Sequence, residues 1–345
     1  MTGSERLVAA CRRGPVDATP VWFMRQAGGS LPRYLAIRER HSVEDIARTP
    51  ELSAEVSLMP VHEYGVDGAV MYADIMLPLV PMGVDVTLTA TGPAIASPIR
   101  SAADIERLRP LDADADLSFV MDAIRLVRRE LDGRAAVIGI VGAPFTLACY
   151  LIEGGPSRDH VVAKAFMYRE PEAWSRLMRL LTSALADFAR AQIRAGIDVL
   201  QVFDSWAGAL GPGDYFDRVA FHTSQVLAAA EAVPTIHFVA GSAGILEHVA
   251  DAGGDVIGID SGQSLSEAWG RIGHQRAIQG NLDPARLLGG WPAIETGARA
   301  VLAQAGARPG HIFNLGHAAP RETDPGVLRE LVSYVHERTR RAAEQ

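Results

Sequence analysis

Short apolar, β-branched runs alternate along the chain with longer segments in which apolar residues recur every three or four positions. The short runs cover 20–24, 68–73, 135–141, 198–203, 235–239, 256–259, 277–279 and 312–315, which makes eight predicted strands. Helix-period segments over 51–64, 116–131, 165–194, 214–231, 244–252, 265–272, 293–305 and 325–341 follow nearly every one, with 51–64 between the first two strands. Strand–helix alternation predicts a parallel sheet, and eight rounds predict an α/β fold closed into a (β/α)8 barrel. The stretch 84–99 alternates as a hairpin does and reads as a small insertion after strand two. No internal repeat, low-complexity tract or long linker interrupts the pattern, so residues 1–345 read as one domain.

The uncharged stretch 135–152 is long enough to span a membrane. Gly139, Gly142 and Pro144 interrupt it, so 137–141 reads as a buried parallel strand followed by a loop, and no membrane partner is expected. Charge narrows the partners further. The chain has 33 Lys+Arg against 41 Asp+Glu, a net charge of −8, and no long basic run, which argues against nucleic acid. Lys164 is the single lysine among those 33, which leaves 32 arginines, and it falls in the polar, helix-like stretch 160–169 rather than in a pocket. Schiff-base chemistry is therefore not expected, whereas an arginine at a special place would suit an anionic ligand. Cys11 and Cys149 have neither metal nor redox spacing, which fits a reducing cytoplasm. Residues 7–11 faintly echo a lipoprotein cleavage site but lack its basic start and long apolar core, so secretion is not expected. Walker A and G-x-G-x-x-G loops do not occur.

A barrel places its reactive groups just beyond the strands, at the carboxyl-terminal mouth. Those positions here hold Arg25, Asp74, 142–150, Asp204 and Ser205, Gly241, Asp260, 281–283 and His317. Polar residues collect at loops in any protein, so the local strings carry more information than any single residue. They are Pro20-Val21-Trp22-Phe23-Met24-Arg25-Gln26-Ala27-Gly28, Tyr72-Ala73-Asp74-Ile75, Gly142-Ala143-Pro144-Phe145-Thr146-Leu147 and Tyr150-Leu151-Ile152-Glu153-Gly154-Gly155. Phe203-Asp204-Ser205-Trp206-Ala207-Gly208, Gln279-Gly280-Asn281-Leu282-Asp283-Pro284 and Asn314-Leu315-Gly316-His317 continue the series.

In this order, over nearly the whole chain, these strings resemble the uroporphyrinogen decarboxylase family. The resemblance implies a single (β/α)8 barrel, a homodimer, a cytoplasmic location, and no cofactor or metal. It also implies removal of CO2 from the four acetate groups of uroporphyrinogen III to give coproporphyrinogen III, in haem synthesis. Such a tetrapyrrole carries eight carboxylates, which arginines and backbone N–H groups suit. By the same resemblance Asp74 faces the pyrrole N–H groups and stabilises the ring cation that forms on protonation. Arg25 holds a carboxylate and is a candidate proton donor. Tyr150 contacts the substrate, while Ser205 and His317 bond its carboxylates. Gln26, Ala27 and Gly28 offer backbone contacts, Asp204 fits a turn or the site equally, and Asn281 and Asp283 read as turn formers.

Gly29, on the same substrate-binding loop, stands where the family has a second arginine. Losing one charge-assisted bond costs about 1.5–3 kcal/mol, or roughly one to two powers of ten in affinity. Arg33 replaces a usual glutamate and Leu35 a usual arginine, and Arg33 is a candidate to swing in for the lost charge. After His317 the usual glycine is Ala318, the proline at 320 stands one place early, and Arg321 adds a charge. These departures keep open a paralogous decarboxylase with another acidic substrate, or an impaired homologue that only binds porphyrinogen. A zinc methyltransferase of related fold would need thiolate ligands, and neither 237–239 nor Cys149 supplies a set at metal spacing.

Overall fold

The structure is a computed structural model that describes residues 1–27, 31–89 and 92–341. Its centre is a parallel sheet of seven strands: β1 (Gly68–Val70), β4 (Ala136–Gly142), β5 (Val199–Phe203), β6 (Thr235–Val239), β7 (Val256–Ile259), β8 (Ala277–Gln279) and β9 (His311–Ile312). Each pairs with the next in that order. Between β1 and β4, β2 (Val86–Thr89) and β3 (Gly92–Ile95) pair antiparallel within the stretch read as a hairpin.

The first predicted strand, 20–24, fills the gap between β9 and β1 without forming a regular ladder. Phe313 N–H donates to the Pro20 carbonyl at 2.9 Å, and Trp22 N–H to that of Phe313 at 3.4 Å. On the other side Asp67 N–H donates to the Val21 carbonyl at 2.8 Å. Two local facts keep this segment irregular. Proline has no N–H to give, and the Val21 N–H donates to the Asp67 carboxylate, at 2.7 Å, instead of to a neighbouring strand. With this segment in place the sheet closes into the expected barrel.

The helices between the strands follow the apolar period closely, with three corrections. The segment 165–194 is two helices, Val161–Arg169 and Pro171–Ala195, because Pro171 takes a first-turn place that needs no N–H. The segment 214–231 is broken into Pro212–Tyr215, a π-turn over Phe216–Ala220 and a helix over Phe221–Ala228. The supposed loop after β4 is the helix Pro144–Glu153. All its residues except Tyr150 and Glu153 are buried, so it has no polar face to mark a helical period. Lys164 lies on the Val161–Arg169 helix, its ammonium donating to the Ala209 carbonyl at 3.3 Å. No helix among the described residues is long and apolar enough to cross a membrane.

An unforeseen helix, Gly3–Cys11, closes the amino-terminal end of the barrel. Its capping box joins Thr2 and Glu5, and Gly3 N–H reaches the Arg134 carbonyl just before β4. Here Asp67, 2% exposed, accepts from Arg6 at 2.5 Å and pairs with His336 at 2.8 Å, besides the Val21 bond. One carboxylate thus joins the first helix, the closing segment, β1 and the last helix, Pro325–Thr339. Asp67→Ala should lower the unfolding free energy by about 3–5 kcal/mol, because it leaves buried donors unpaired. Urea titration followed by circular dichroism measures this, and an unchanged midpoint would show that the seam does not need the carboxylate.

Candidate active site at the carboxyl-terminal mouth

Arg25 follows the closing segment with its backbone in the left-handed region, φ +56°. Such a conformation costs a non-glycine residue of order 1 kcal/mol and persists only where the surroundings hold it. They do so from three sides. The Gln26 side chain accepts from Phe23 N–H at 3.0 Å and donates to the Gly68 carbonyl at 2.8 Å. The Asn314 side-chain oxygen, Oδ1, accepts from Met24 N–H at 3.3 Å and from Leu315 N–H at 2.8 Å. Ala319 N–H donates to the Met24 carbonyl at 3.2 Å. The Arg25 side chain is exposed, while Gln26 and Ala27 are buried. The Gln26 N–H, expected to meet a carboxylate, already donates to the Phe23 carbonyl at 3.2 Å. Gly28 and Gly29 lie outside the described residues.

Asp74 stands beyond β1, on a strand end pinned by two serines of the helix Pro50–Tyr64. Ser57 Oγ accepts from Tyr72 N–H at 2.7 Å, and Ser53 Oγ donates to the Tyr72 carbonyl at 2.9 Å. The Asp74 carboxylate accepts from Met76 N–H at 2.8 Å. The residue is half-buried, and burial raises its pKa above the ordinary value. The Met76 N–H and the nearby Arg25 charge pull in the other direction without cancelling the effect.

Tyr150 projects from the Pro144–Glu153 helix. Burial, aided by the Asp74 charge and opposed by Arg25, pushes its pKa up to about 12. Its ring packs on Trp206 with centroids 4.1 Å apart. Ser205 is half-buried at the end of β5 beside Trp206. Asp204 is fully buried and works as an anchor, not a surface turn former. It accepts from Thr146 at 3.2 Å and Thr223 at 3.4 Å, with His237 Nε2 at 3.8 Å.

His317 follows β9. Burial and Arg25 lower its pKa, and Asp260 opposes them. Asp260 is fixed by the N–H groups of Gly241 at 2.5 Å and Gly262 at 2.6 Å. Asn281 Nδ2 donates to the carbonyls of Asp260 and Gln263, both at 2.8 Å, and Asp283 caps Ala285 N–H at 2.9 Å. Both are structural, as their turn-like setting suggests.

Arg25, Asp74, Tyr150 and His317 thus share one electrostatic neighbourhood, and Ser205 adjoins it through Trp206. The sequence did not mark Asn314, Thr146 and Trp206 as supports, although all three lie within the motif strings, whereas Asp260 was expected at the mouth and is found there. Arg33 does not enter the mouth. Its guanidinium pairs with Glu55 at 2.8 Å on the exposed surface. Arg321 is exposed, and burial pushes the Cys149 thiol well above its ordinary range, which disfavours the thiolate.

A closed parallel barrel with an arginine, an acid, a tyrosine and a histidine around its carboxyl-terminal mouth defines a barrel enzyme. The family model described as Uroporphyrinogen decarboxylase (URO-D) matches residues 2–338. The chain is 47% identical over 340 residues to the uroporphyrinogen decarboxylase of Roseiflexus sp. (strain RS-1), covering 96% of this chain and 98% of that protein. It is 48% identical over 343 residues to the one from Streptomyces coelicolor, covering 99% and 96%. A solved methyltransferase from Methanosarcina mazei superposes with TM-score 0.83 over 98% of this chain and 99% of that one, at 19% identity, which shows the fold. The chain belongs to the uroporphyrinogen decarboxylase family.

Gly316 tests how the loops position His317. A Cβ there would stand 2.2 Å from Ser261 N, so alanine must push the loop after β7 away from the loop that carries His317. A displacement near 1 Å can cost about 10²-fold. Gly316→Ala should therefore fold yet lose kcat/KM by at least about 10-fold, read by steady-state kinetics beside a far-UV spectrum. A folded variant with parental kcat/KM would remove this contact from the site.

Proposed function

We propose that this enzyme removes the four acetate carboxylates of uroporphyrinogen III as CO2, giving coproporphyrinogen III. The observation that carries this reading is the convergence of Arg25, Asp74, Tyr150 and His317 on one mouth, in a chain of this family. Each round is an exchange of CO2 for a proton. A proton adds to a pyrrole carbon beside the acetate-bearing one and makes the ring cationic. The electron pair of the bond to the carboxylate flows into that ring as CO2 leaves. The exocyclic carbon then takes up a proton and becomes a methyl group, and the ring proton departs.

Asp74 accepts the pyrrole N–H groups and stabilises the cation, a task its half-buried carboxylate at the mouth suits. Arg25 holds the reacting acetate or supplies the proton that the adjacent pyrrole carbon takes up. Tyr150 and Ser205 offer hydroxyls to the remaining carboxylates. His317, its pKa lowered, meets them as a neutral donor near pH 7. The enzyme works in the cytoplasm as a homodimer. The exposed rings of Phe216 and Phe221 supply apolar area for a second copy, and sedimentation at micromolar concentration should give twice the 36.9 kDa of one chain. A monomer there would remove the dimer.

The deciding assay is anaerobic incubation of reduced uroporphyrinogen III with the pure protein, with products separated by carboxylate number. Heptacarboxylate to tetracarboxylate products should appear, and their absence at high enzyme concentration overturns the reading. Asp74→Asn should lower kcat by about 10²–10³-fold. It should unfold at no lower temperature than the parent at neutral pH. The raised pKa means that ionised Asp74 costs stability above that pKa, and asparagine removes this cost. For the same reason the acid limb of the parent's kcat/KM profile should lie above the ordinary carboxylate value of about 4. Gly29→Arg should lower KM by about 10-fold, by restoring one charge-assisted bond.

A further inference from the structure

A tyrosine that keeps its hydroxyl for a ligand cannot use that hydroxyl to hold its own ring in place. Among the described residues the Tyr150 hydroxyl has no hydrogen-bond partner, so the ring must be fixed from the side. Trp206 does this at 4.1 Å, with 35° between the planes. Trp206 in turn packs on His160, with centroids 4.5 Å apart and 33° between the planes. Tyr150 and His160 make no ring contact with each other among the described residues, so they flank the indole on opposite sides. With both faces covered, Trp206 has none left for a pyrrole ring, and its contribution is to placement.

The three rings come from three separate chain segments, and each is tied down. Thr146, one turn before Tyr150 on the same helix, accepts Trp206 N–H at 3.4 Å and donates to the buried Asp204 carboxylate at 3.2 Å. His160 is 3% exposed and has left-handed backbone, φ +50°. Its N–H donates to Ser157 Oγ at 3.1 Å, and its Nδ1 has no hydrogen-bond partner, so the ring is held by packing, the stack on Trp206 included. The helix that it begins is fastened back to the Tyr150 helix, because Ala163 N–H donates to Glu153 at 3.0 Å. Aromatic pairs of this kind contribute about 0.5–1.5 kcal/mol beyond the area they bury.

We infer that Trp206, clamped by His160, is a positioning residue that fixes the Tyr150 hydroxyl beside Asp74 and Arg25. The inference rests on the role given to Tyr150 above. A double-mutant cycle tests it, with kcat and KM on uroporphyrinogen III measured for the parent, Trp206→Leu, Tyr150→Phe and the double variant. Tyr150→Phe keeps the ring and removes the hydroxyl. Trp206→Leu should cost about 10-fold in kcat/KM in the parent and under about 2-fold in the Tyr150→Phe background, a coupling usual for groups in contact. Trp206→Phe, which keeps a ring in the stack, should recover most of the loss.

Equal losses in both backgrounds would overturn the inference while leaving the role of Tyr150 intact. A Tyr150→Phe variant as fast as the parent would overturn both, without touching the decarboxylase reading. If Trp206→Leu does not fold, His160→Leu in the same two backgrounds gives the same contrast. A second readout needs no turnover. The emission of Trp206, taken as parent minus Trp206→Phe, should change when Tyr150→Leu uncovers the indole and stay fixed in Tyr150→Phe. An emission indifferent to Tyr150→Leu also overturns the inference.

Discussion

The closure between the first and last barrel segments governs the rest of the structure. At the amino-terminal end a carboxylate, Asp67, takes the Val21 N–H in place of a backbone carbonyl. Farther along, Pro20, Trp22 and Phe313 exchange backbone bonds. At the carboxyl-terminal end Asn314 and Ala319 grip Met24, and the next residue is Arg25. The seam therefore runs the length of the barrel, from a buried charge cluster that holds the fold to a strained turn that carries a candidate catalytic side chain. Stability and placement of the guanidinium share one line of hydrogen bonds.

The mouth is built on electrostatic opposition. Protein around Asp74 disfavours its charge, while Arg25 and one N–H group favour it. Burial and Arg25 lower the His317 pKa, while Asp260 favours the charge. These pairwise influences tie residues more than 290 positions apart in the chain into one site. Loop contacts keep the distances fixed. Asp260 is tied by two backbone N–H groups, and Gly316 packs directly on Ser261. Such preorganisation would make charge stabilisation effective in the proposed reaction, because little has to reorient there.

Much of this was legible in the order of residues. The apolar runs marked all eight segments of the barrel wall, seven of them regular strands, because a parallel strand buried on both faces shows as an uninterrupted β-branched run. The mouth residues followed from strand ends. What stayed hidden has physical causes. The Pro144–Glu153 helix is buried nearly all round, so the period that announces a surface helix is missing. Asp204 looked like a turn residue, and only packing shows that its carboxylate points away from solvent onto Thr146 and Thr223. Arg33 looked able to reach the mouth, but Glu55 claims it on the outer surface.

Arg25 shows what it means to aim a side chain by its backbone. Its direction is set by the left-handed turn and the bonds around it, and among the described residues no carboxylate forms an ion pair with it. An arriving anion therefore has no existing pair to break. On the proposed reading, the Arg25 charge acts on an arriving anion before any close contact forms. This attraction weakens as salt shortens its range to about 10 Å or less. The backbone conformation of a single residue thus sets where that charge stands at the mouth.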